Sequence, residues 1–419
     1  MTRRDDNNAI EIRDIPQRGK ALVATRDLSP GAEGFTVMQD DPLIISPFKN
    51  TPQDQSDPCP KEISRFLDAQ FWTDYWYYLQ LKDSKTKQKI RNLFYMKEAG
   101  EDLVELLTKV YNVLPKGTKK SYLDIEEFAN VVMVFRYNSV GIVGKGRGLF
   151  EYVCRLNHSC LPNCAWYTNE DGQQVVRLVQ DVSKGEEFTV DYVESRTLPT
   201  NLRQDKLWKT KSFWCECPRC SKLKDDARRF PCLNCRDDDK GVHFVTASSS
   251  QPHDRKFHLA KCEHCGSEAM QSMDMINQLE ESLRSKIVQL NETLETSGNS
   301  VSQETMDSIQ QLRPPHRLHS LSADSIFIVQ ANEIGKGGDK EGRIKVLRDR
   351  LDCYKSLLGA DYPNVLTGLA AQLLADALIE GGRVPEAKEH YERALRMFVI
   401  ADGPDRSLAL TMKQKLAAL

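Results

Sequence analysis

Apolar residues in this chain recur with two different periods. Up to residue 48 they come as short runs split by turn residues. Ala21-Leu22-Val23-Ala24 and Leu43-Ile44-Ile45, with Ser29-Pro30-Gly31 between them, predict short strands and turns. Pro52, Pro58 and Pro60 mark residues 49–60 as a connecting loop. From 61 to about 136 the spacing becomes helical. Phe71, Trp72, Tyr75, Trp76, Tyr78 and Leu79 form one aromatic face, whose expected role is packing. Strand patterning returns from 147 to 193. Gln174-Val175-Val176-Arg177-Leu178-Val179 reads as a strand and Ser183-Lys184-Gly185-Glu186 as a turn. Phe188-Thr189-Val190-Asp191-Tyr192 then alternates, with Phe188, Val190 and Tyr192 on one side. A tyrosine on an apolar face buries a hydroxyl, which needs a partner or a task.

Beyond residue 268 the chain reads as helix. Ile276, Leu279, Leu283, Ile287, Leu290 and Leu294 fall at three- and four-residue spacing. Residues 296–325, rich in Ser, Gln and Pro, read as a link. A weak repeat follows, with Gly342-Arg343 opening one helix and Gly382-Arg383 another. Val365, Leu366, Leu369, Ala370, Leu373, Leu374, Ala377 and Leu378 form one stripe between them. Ala387, Tyr391, Ala394, Leu395 and Phe398 form a second, with Pro385 suited to a first turn. Helix pairs repeating in this way predict a stack like tetratricopeptide repeats, and such a stack offers surface to partner proteins.

A chain of 419 residues is too long for one core and implies several domains. Its 58 basic and 60 acidic side chains leave a net charge of −2, so no overall basic field exists to hold nucleic acid. The basic run Lys85, Lys87, Lys89 and Arg91 reads as a solvated face. No apolar stretch approaches the ~20 residues of a membrane helix. The polar start lacks an apolar signal region, so the expected location is the nucleus or cytoplasm, with no membrane partner.

In such a reducing compartment clustered cysteines read as metal ligands before disulfides. Cys232-Leu233-Asn234-Cys235 and Cys262-Glu263-His264-Cys265 together supply the four thiolates of a tetrahedral zinc site, with His264 a bystander. Cys215-Glu216-Cys217-Pro218-Arg219-Cys220 offers three thiolates, so a fourth must come from elsewhere. Cys160 and Cys164 are the candidates. Closing that loop costs chain entropy, which metal binding offsets. Cys59, Cys154 and Cys353 stand alone and read as small buried hydrophobes.

Three motifs, in order, resemble SET-domain protein lysine methyltransferases: Asn157-His158-Ser159-Cys160-Leu161-Pro162-Asn163-Cys164, Gly185-Glu186-Glu187-Phe188-Thr189-Val190-Asp191-Tyr192, and the cysteine triplet. Arg18-Gly19-Lys20-Ala21 resembles that family's opening glycine motif, with Ala21 in place of a second glycine. The helical C-terminal part resembles the branch carrying SET and MYND domains. The cysteine-rich MYND finger is missing, since the corresponding stretch holds only Cys59.

The resemblance implies an α+β, multidomain chain. Residues 1–48 would open a β-rich SET fold, 49–136 form a helical insertion and 137–195 the SET core. Residues 196–222 would form a post-SET zinc segment, 223–268 a zinc ribbon and 269–419 a TPR-like helical domain. It implies S-adenosylmethionine as cofactor, bound by Arg18, Gly19, Lys20, Asn138, Asn157, His158, Tyr192 and Phe213, with Tyr192 the catalytic tyrosine. Cys160, Cys215, Cys217 and Cys220 would hold one zinc, and Cys232, Cys235, Cys262 and Cys265 the other. Cys164 is then structural, as Glu186, Glu187 and Asp191 are expected to be as turn and edge residues. The implied substrate is a lysine on a histone or another protein. Two other readings are a non-catalytic scaffold binding proteins through the ribbon and helical repeats, and a nucleic-acid module using Lys222, Lys224, Arg228 and Arg229. Asp225 and Asp226 dilute that last patch.

Overall fold

A computed structural model describes residues 9–16, 18–48, 68–95, 97–113, 123–194, 196–235, 241–251, 254–297 and 326–419. The loop expected at 49–60, with Cys59, and nearly all of the 296–325 link lie outside the described residues.

The chain opens with an antiparallel pair, β1 (Ile10–Ile15) and β2 (Gly19–Ala24), followed by β3 (Phe35–Asp40) and β4 (Pro42–Ser46). Among the described residues four helices come next: α1 (Ala69–Gln80), α2 (Ser84–Arg91), α3 (Lys97–Val113) and α4 (Ile125–Asn138). Local chemistry sets three of their starts. Asp68, Asp83 and Asp124 each accept a first-turn backbone N–H, satisfying donors that a helix start leaves free. The aromatic face packs inward. Trp72, Tyr75 and Tyr78 are buried, and Tyr75 meets Phe128 of α4 edge-on at 4.9 Å.

The strands β5 (Val140–Ile142), β6 (Gly146–Phe150), β7 (Asn157–His158), β8 (Cys164–Thr168), β9 (Gln174–Leu178) and β10 (Thr189–Val190) complete this half. They form small sheets ordered β3-β9-β8 and β4-β6-β5, plus the parallel pair β7 and β10. Leu22, Val37, Phe150, Val176, Leu178, Phe188 and Val190 share one core between them. The alternating strand expected over 188–192 is shorter than the pattern suggested. Only Thr189 and Val190 pair, and Asp191 is buried along with Val190. The backbone leaves the sheet there, so the two-residue period stops.

Helix α5 (Thr200–Lys211) leads into the cysteine triplet. Strands β11 (Lys224–Pro231), β12 (Val242–Ala247) and β13 (Phe257–Leu259) then form a three-stranded antiparallel sheet. Helix α6 (Met273–Ser297) packs on this sheet through Ile276, which joins Phe230 and Val245 in one cluster. Arg228 and Glu280 pair there through two buried bonds of 2.7 and 2.8 Å. Arg228 and Asp225 are therefore folded inward, which corrects the reading of residues 222–229 as an exposed basic patch.

Helices α7 (Ile326–Lys336), α8 (Lys340–Leu358), α9 (Val365–Glu380), α10 (Val384–Ala401) and α11 (Ser407–Ala417) each pack on the next. Asp339 and Asn364 cap α8 and α9, and Pro385 sits in the first turn of α10. Gly368 lets α9 and α10 approach closely, because a Cβ there would meet the Phe398 ring at 2.5 Å. This layer docks on the strands. Leu357, Leu358, Tyr362 and Ile400 share a cluster with Ala165 and Val179, and the Tyr362 hydroxyl donates to the Pro162 carbonyl at 2.8 Å.

Candidate functional site

The site forms where β7 and β10 lie side by side, pairing Thr189 with Asn157 and Val190 with His158. Two-residue strands hold few ladder bonds, so side chains must fix them. Asn163 does much of this. Its amide donates to the Glu187 carbonyl at 2.8 Å, and its oxygen accepts from the Thr189 N–H at 2.8 Å. Sequence reasoning quoted Asn163 within its motif but gave it no role. Nothing in its spacing signalled that role.

His158 is buried with both ring nitrogens engaged. Its Nδ1 accepts the Tyr192 backbone N–H at 3.1 Å, so the ring proton belongs on Nε2, which lies 3.2 Å from the Cys160 sulfur. Burial pulls this histidine below its ordinary value and keeps the ring neutral, although Asp191, 3.8 Å away, pulls the other way. The Tyr192 ring stands 5.3 Å from the His158 ring, and Phe213 stands 6.0 Å from it on another side. The Tyr192 hydroxyl donates to the Leu156 carbonyl at 2.5 Å, and burial raises its pKa. Its aromatic face looks toward the Lys211 ammonium, 5.4 Å from the centroid.

Arg18 reaches across to Glu187 at 3.0 Å, and Glu187 also receives the Asn157 amide at 3.4 Å. Asp191 is buried between His158 and Arg196, 3.8 Å from each. Glu187 and Asp191, at the turn and edge where the sequence put them, each also hold an arginine there. Gly19 takes φ +71°, and a Cβ there would meet nothing within 4 Å, so its conformation rather than crowding favours glycine. Lys20 is exposed, whereas Ala21 is fully buried, on the face of β2 opposite Leu22 and Ala24, which join the strand core. Asn138 ends α4, and its amide donates to Phe94 O at 2.7 Å and Val134 O at 2.8 Å. Phe94 lines an open groove of about 490 Å³ with Arg91, Tyr95, Lys97 and Asn130.

Cys160, Cys215, Cys217 and Cys220 converge with all four sulfurs within 4.8 Å of one another. Cys160 lies 3.9 Å from Cys215 and 3.5 Å from Cys220. A tetrahedron of ~2.3 Å zinc–sulfur bonds has edges of about 3.8 Å, so the donors fit zinc. Cys164 lies outside this cluster, buried in β8. Cations surround the thiols. The buried Arg203 donates to the Cys220 sulfur at 3.5 Å, Arg219 donates to the Cys160 carbonyl at 3.2 Å, and Arg255 donates to the Cys220 carbonyl. Four thiolates around a divalent ion carry a net double negative charge, which these guanidinium groups offset.

The second cluster joins Cys232, Cys235, Cys262 and Cys265, with sulfur pairs 3.7 and 3.6 Å apart. It fits zinc by the same measure. Gly241 makes room, since a Cβ there would collide with Cys235 and crowd Cys232. This cluster stands nearer solvent, with Cys265 exposed and bonded to the Ser267 hydroxyl at 3.0 Å.

Comparisons with known proteins agree with these features. Residues 19–193 match the family described as SET domain. The histone-lysine N-methyltransferase ASHR1 of Arabidopsis thaliana is 33% identical over 132 residues, covering 30% of this chain and 27% of its own length. SET domain and MYND-type zinc finger protein 6 of Schizosaccharomyces pombe is 44% identical over 77 residues, 18% of this chain and 15% of its own. N-lysine methyltransferase SMYD2 of Homo sapiens is 38% identical over 84 residues, 20% of this chain and 19% of its own. The chain thus matches between 15% and 27% of these relatives' lengths.

Proposed function

We propose that this chain, whose residues 19–193 match the SET domain family, is a protein-lysine N-methyltransferase of the SET-and-MYND type. The observation that carries this reading is the parallel β7–β10 pair. It sets Asn157 and His158 beside Tyr192, with Phe213 brought to the same place by the cysteine cluster.

When bound, S-adenosylmethionine supplies a methyl group on a positively charged sulfur. Arg18, Gly19, Lys20, Asn138, Asn157 and His158 are the residues assigned to hold it. Cys160, Cys215, Cys217 and Cys220 would hold a zinc ion, which would clasp residues 213–220 against residues 157–160. The remaining work is positioning, the source of large rate factors in displacement reactions. Tyr192 and Phe213 wall an aromatic passage in which burial drives a substrate lysine toward its neutral, nucleophilic form. The Tyr192 hydroxyl and the carbonyls near Leu156 offer oxygens to a polarised methyl through weak C–H···O contacts.

The substrate class is a lysine on a histone or another protein. The helical C-terminal layer, read as TPR-like, is the proposed surface for partners. The test is a radiolabelled methyl-transfer assay on histones and whole-cell extract, preceded by calorimetry with S-adenosylmethionine. Cofactor binding with methylated lysine in the product is expected. Absence of cofactor binding would turn the reading toward a non-catalytic scaffold.

A further inference from the structure

Lys211 has no place in the mechanism above, yet it points into the site. It ends α5, followed by Ser212 in the left-handed region at φ +59° and then Phe213. Its Nζ donates to the Tyr137 carbonyl at 2.8 Å and lies 5.4 Å from the centroid of the Tyr192 ring. The Tyr137 hydroxyl bonds the Ser212 hydroxyl at 3.0 Å, so residues 211 and 212 are pinned to the end of α4. Among the described residues no carboxylate pairs with Lys211. A lysine bonding the last carbonyls of a helix is a common cap. Capping alone does not account for an amine turned onto the ring of the active-site tyrosine, in a setting also built from His158 and Phe213.

We propose that Lys211 is methylated by its own chain, as an intramolecular substrate of the site. This rests on the methyltransferase reading above. Burial pulls the Lys211 amine below its ordinary range, the direction that frees its lone pair. One N–H held by the Tyr137 carbonyl fixes the amine while leaving that lone pair available. In the step, the Nζ lone pair forms a bond to the methyl carbon of S-adenosylmethionine as the carbon–sulfur bond breaks. The electron pair of the broken bond stays on sulfur, giving neutral S-adenosylhomocysteine, and the surplus proton leaves Nζ for solvent. Nothing is oxidised or reduced.

The experiment incubates the full chain with S-adenosylmethionine and no added substrate. The peptide spanning Lys211, released by a protease that cuts at acidic residues, is then weighed. A mass gain of one methyl or more on Lys211 is expected, with a first-order rate unchanged by dilution. Lys211→Arg, whose guanidinium can still donate to the Tyr137 carbonyl but has no nucleophilic amine, should lose the gain. Cofactor binding by calorimetry with Lys211 unmodified would overturn this inference and leave the proposed function standing. A rate that falls with dilution would overturn the intramolecular step. Absence of cofactor binding would overturn the proposed function and this inference with it.

Discussion

Arg177 in β9 donates through Nε to the carbonyl of Ile400 at 3.0 Å, near the end of α10. The same guanidinium bonds Val399 O at 2.9 Å and the Thr36 hydroxyl at 2.9 Å. The last carbonyls of a helix lack partners within it, and here a buried arginine from the strands supplies donors. Gly34 leaves the space for this, because a Cβ there would meet Arg177 and the α10 backbone. Arg177→Ala should cost about 2–4 kcal/mol by leaving buried carbonyls unpaired. Urea denaturation would measure the loss, and limited proteolysis should show the C-terminal layer separating first.

Tyr192→Phe removes the hydroxyl bonded to Leu156 O while keeping the ring against His158. Turnover should fall about a hundredfold if the hydroxyl fixes reactant geometry, with cofactor affinity nearly unchanged. Radiolabelled methyl transfer and calorimetry on the same sample separate the two. Unchanged turnover would remove Tyr192 from the mechanism.

Elemental analysis should find two zinc ions per chain, and one each in Cys217→Ser and Cys235→Ser. Arg203→Ala leaves every thiol in place but removes the cation 3.5 Å from Cys220. Loss of such an outer partner should weaken the first site about 10–100-fold, read as faster zinc release to a colorimetric chelator. Equal release from the variant and the parent would show that Arg203 does not offset the thiolate charge.

Asp40 is buried, with its carboxylate accepting the Tyr152 and Val153 N–H groups at 2.7 and 2.8 Å. Burial nevertheless pushes its pKa up to about 6. The folded chain then holds this proton more tightly than the unfolded chain. Its stabilising contribution is fully present below the unfolded value of about 3.9 and is lost as pH rises through about 6. Asp40→Asn cannot titrate. Between pH 4 and 7 the parent should lose about 2 kcal/mol relative to this variant, seen as a pH-dependent gap in denaturation midpoints. A constant gap would show that Asp40 does not titrate in this window.

Periodicity and caps made much of the architecture readable. The aromatic stripe of α1, the α6 stripe with its buried Ile276, Leu283 and Leu290, and the paired stripes of α9 and α10 follow local rules, and they appear as helices. The short strand at β10 was less legible, since alternation over five residues cannot say where pairing ends. Asn163, Glu187 and Arg203 gave no signal that spacing could reveal. Each acts on a partner between 17 and 169 positions away or across a fold in the backbone, as Glu187 does on Arg18 and Arg203 on Cys220.

By itself the order of residues determined where helices and strands start, and which cysteines come in tight pairs. Those properties depend on neighbours only a few positions apart. It left the fourth thiol of the triplet open between Cys160 and Cys164, and it was silent on Lys211. Tertiary structure decided both. A thiol reaches a shared metal position, and an amine faces a distant ring, only after the intervening chain has closed and desolvated them. Those distances come from the packing of the whole.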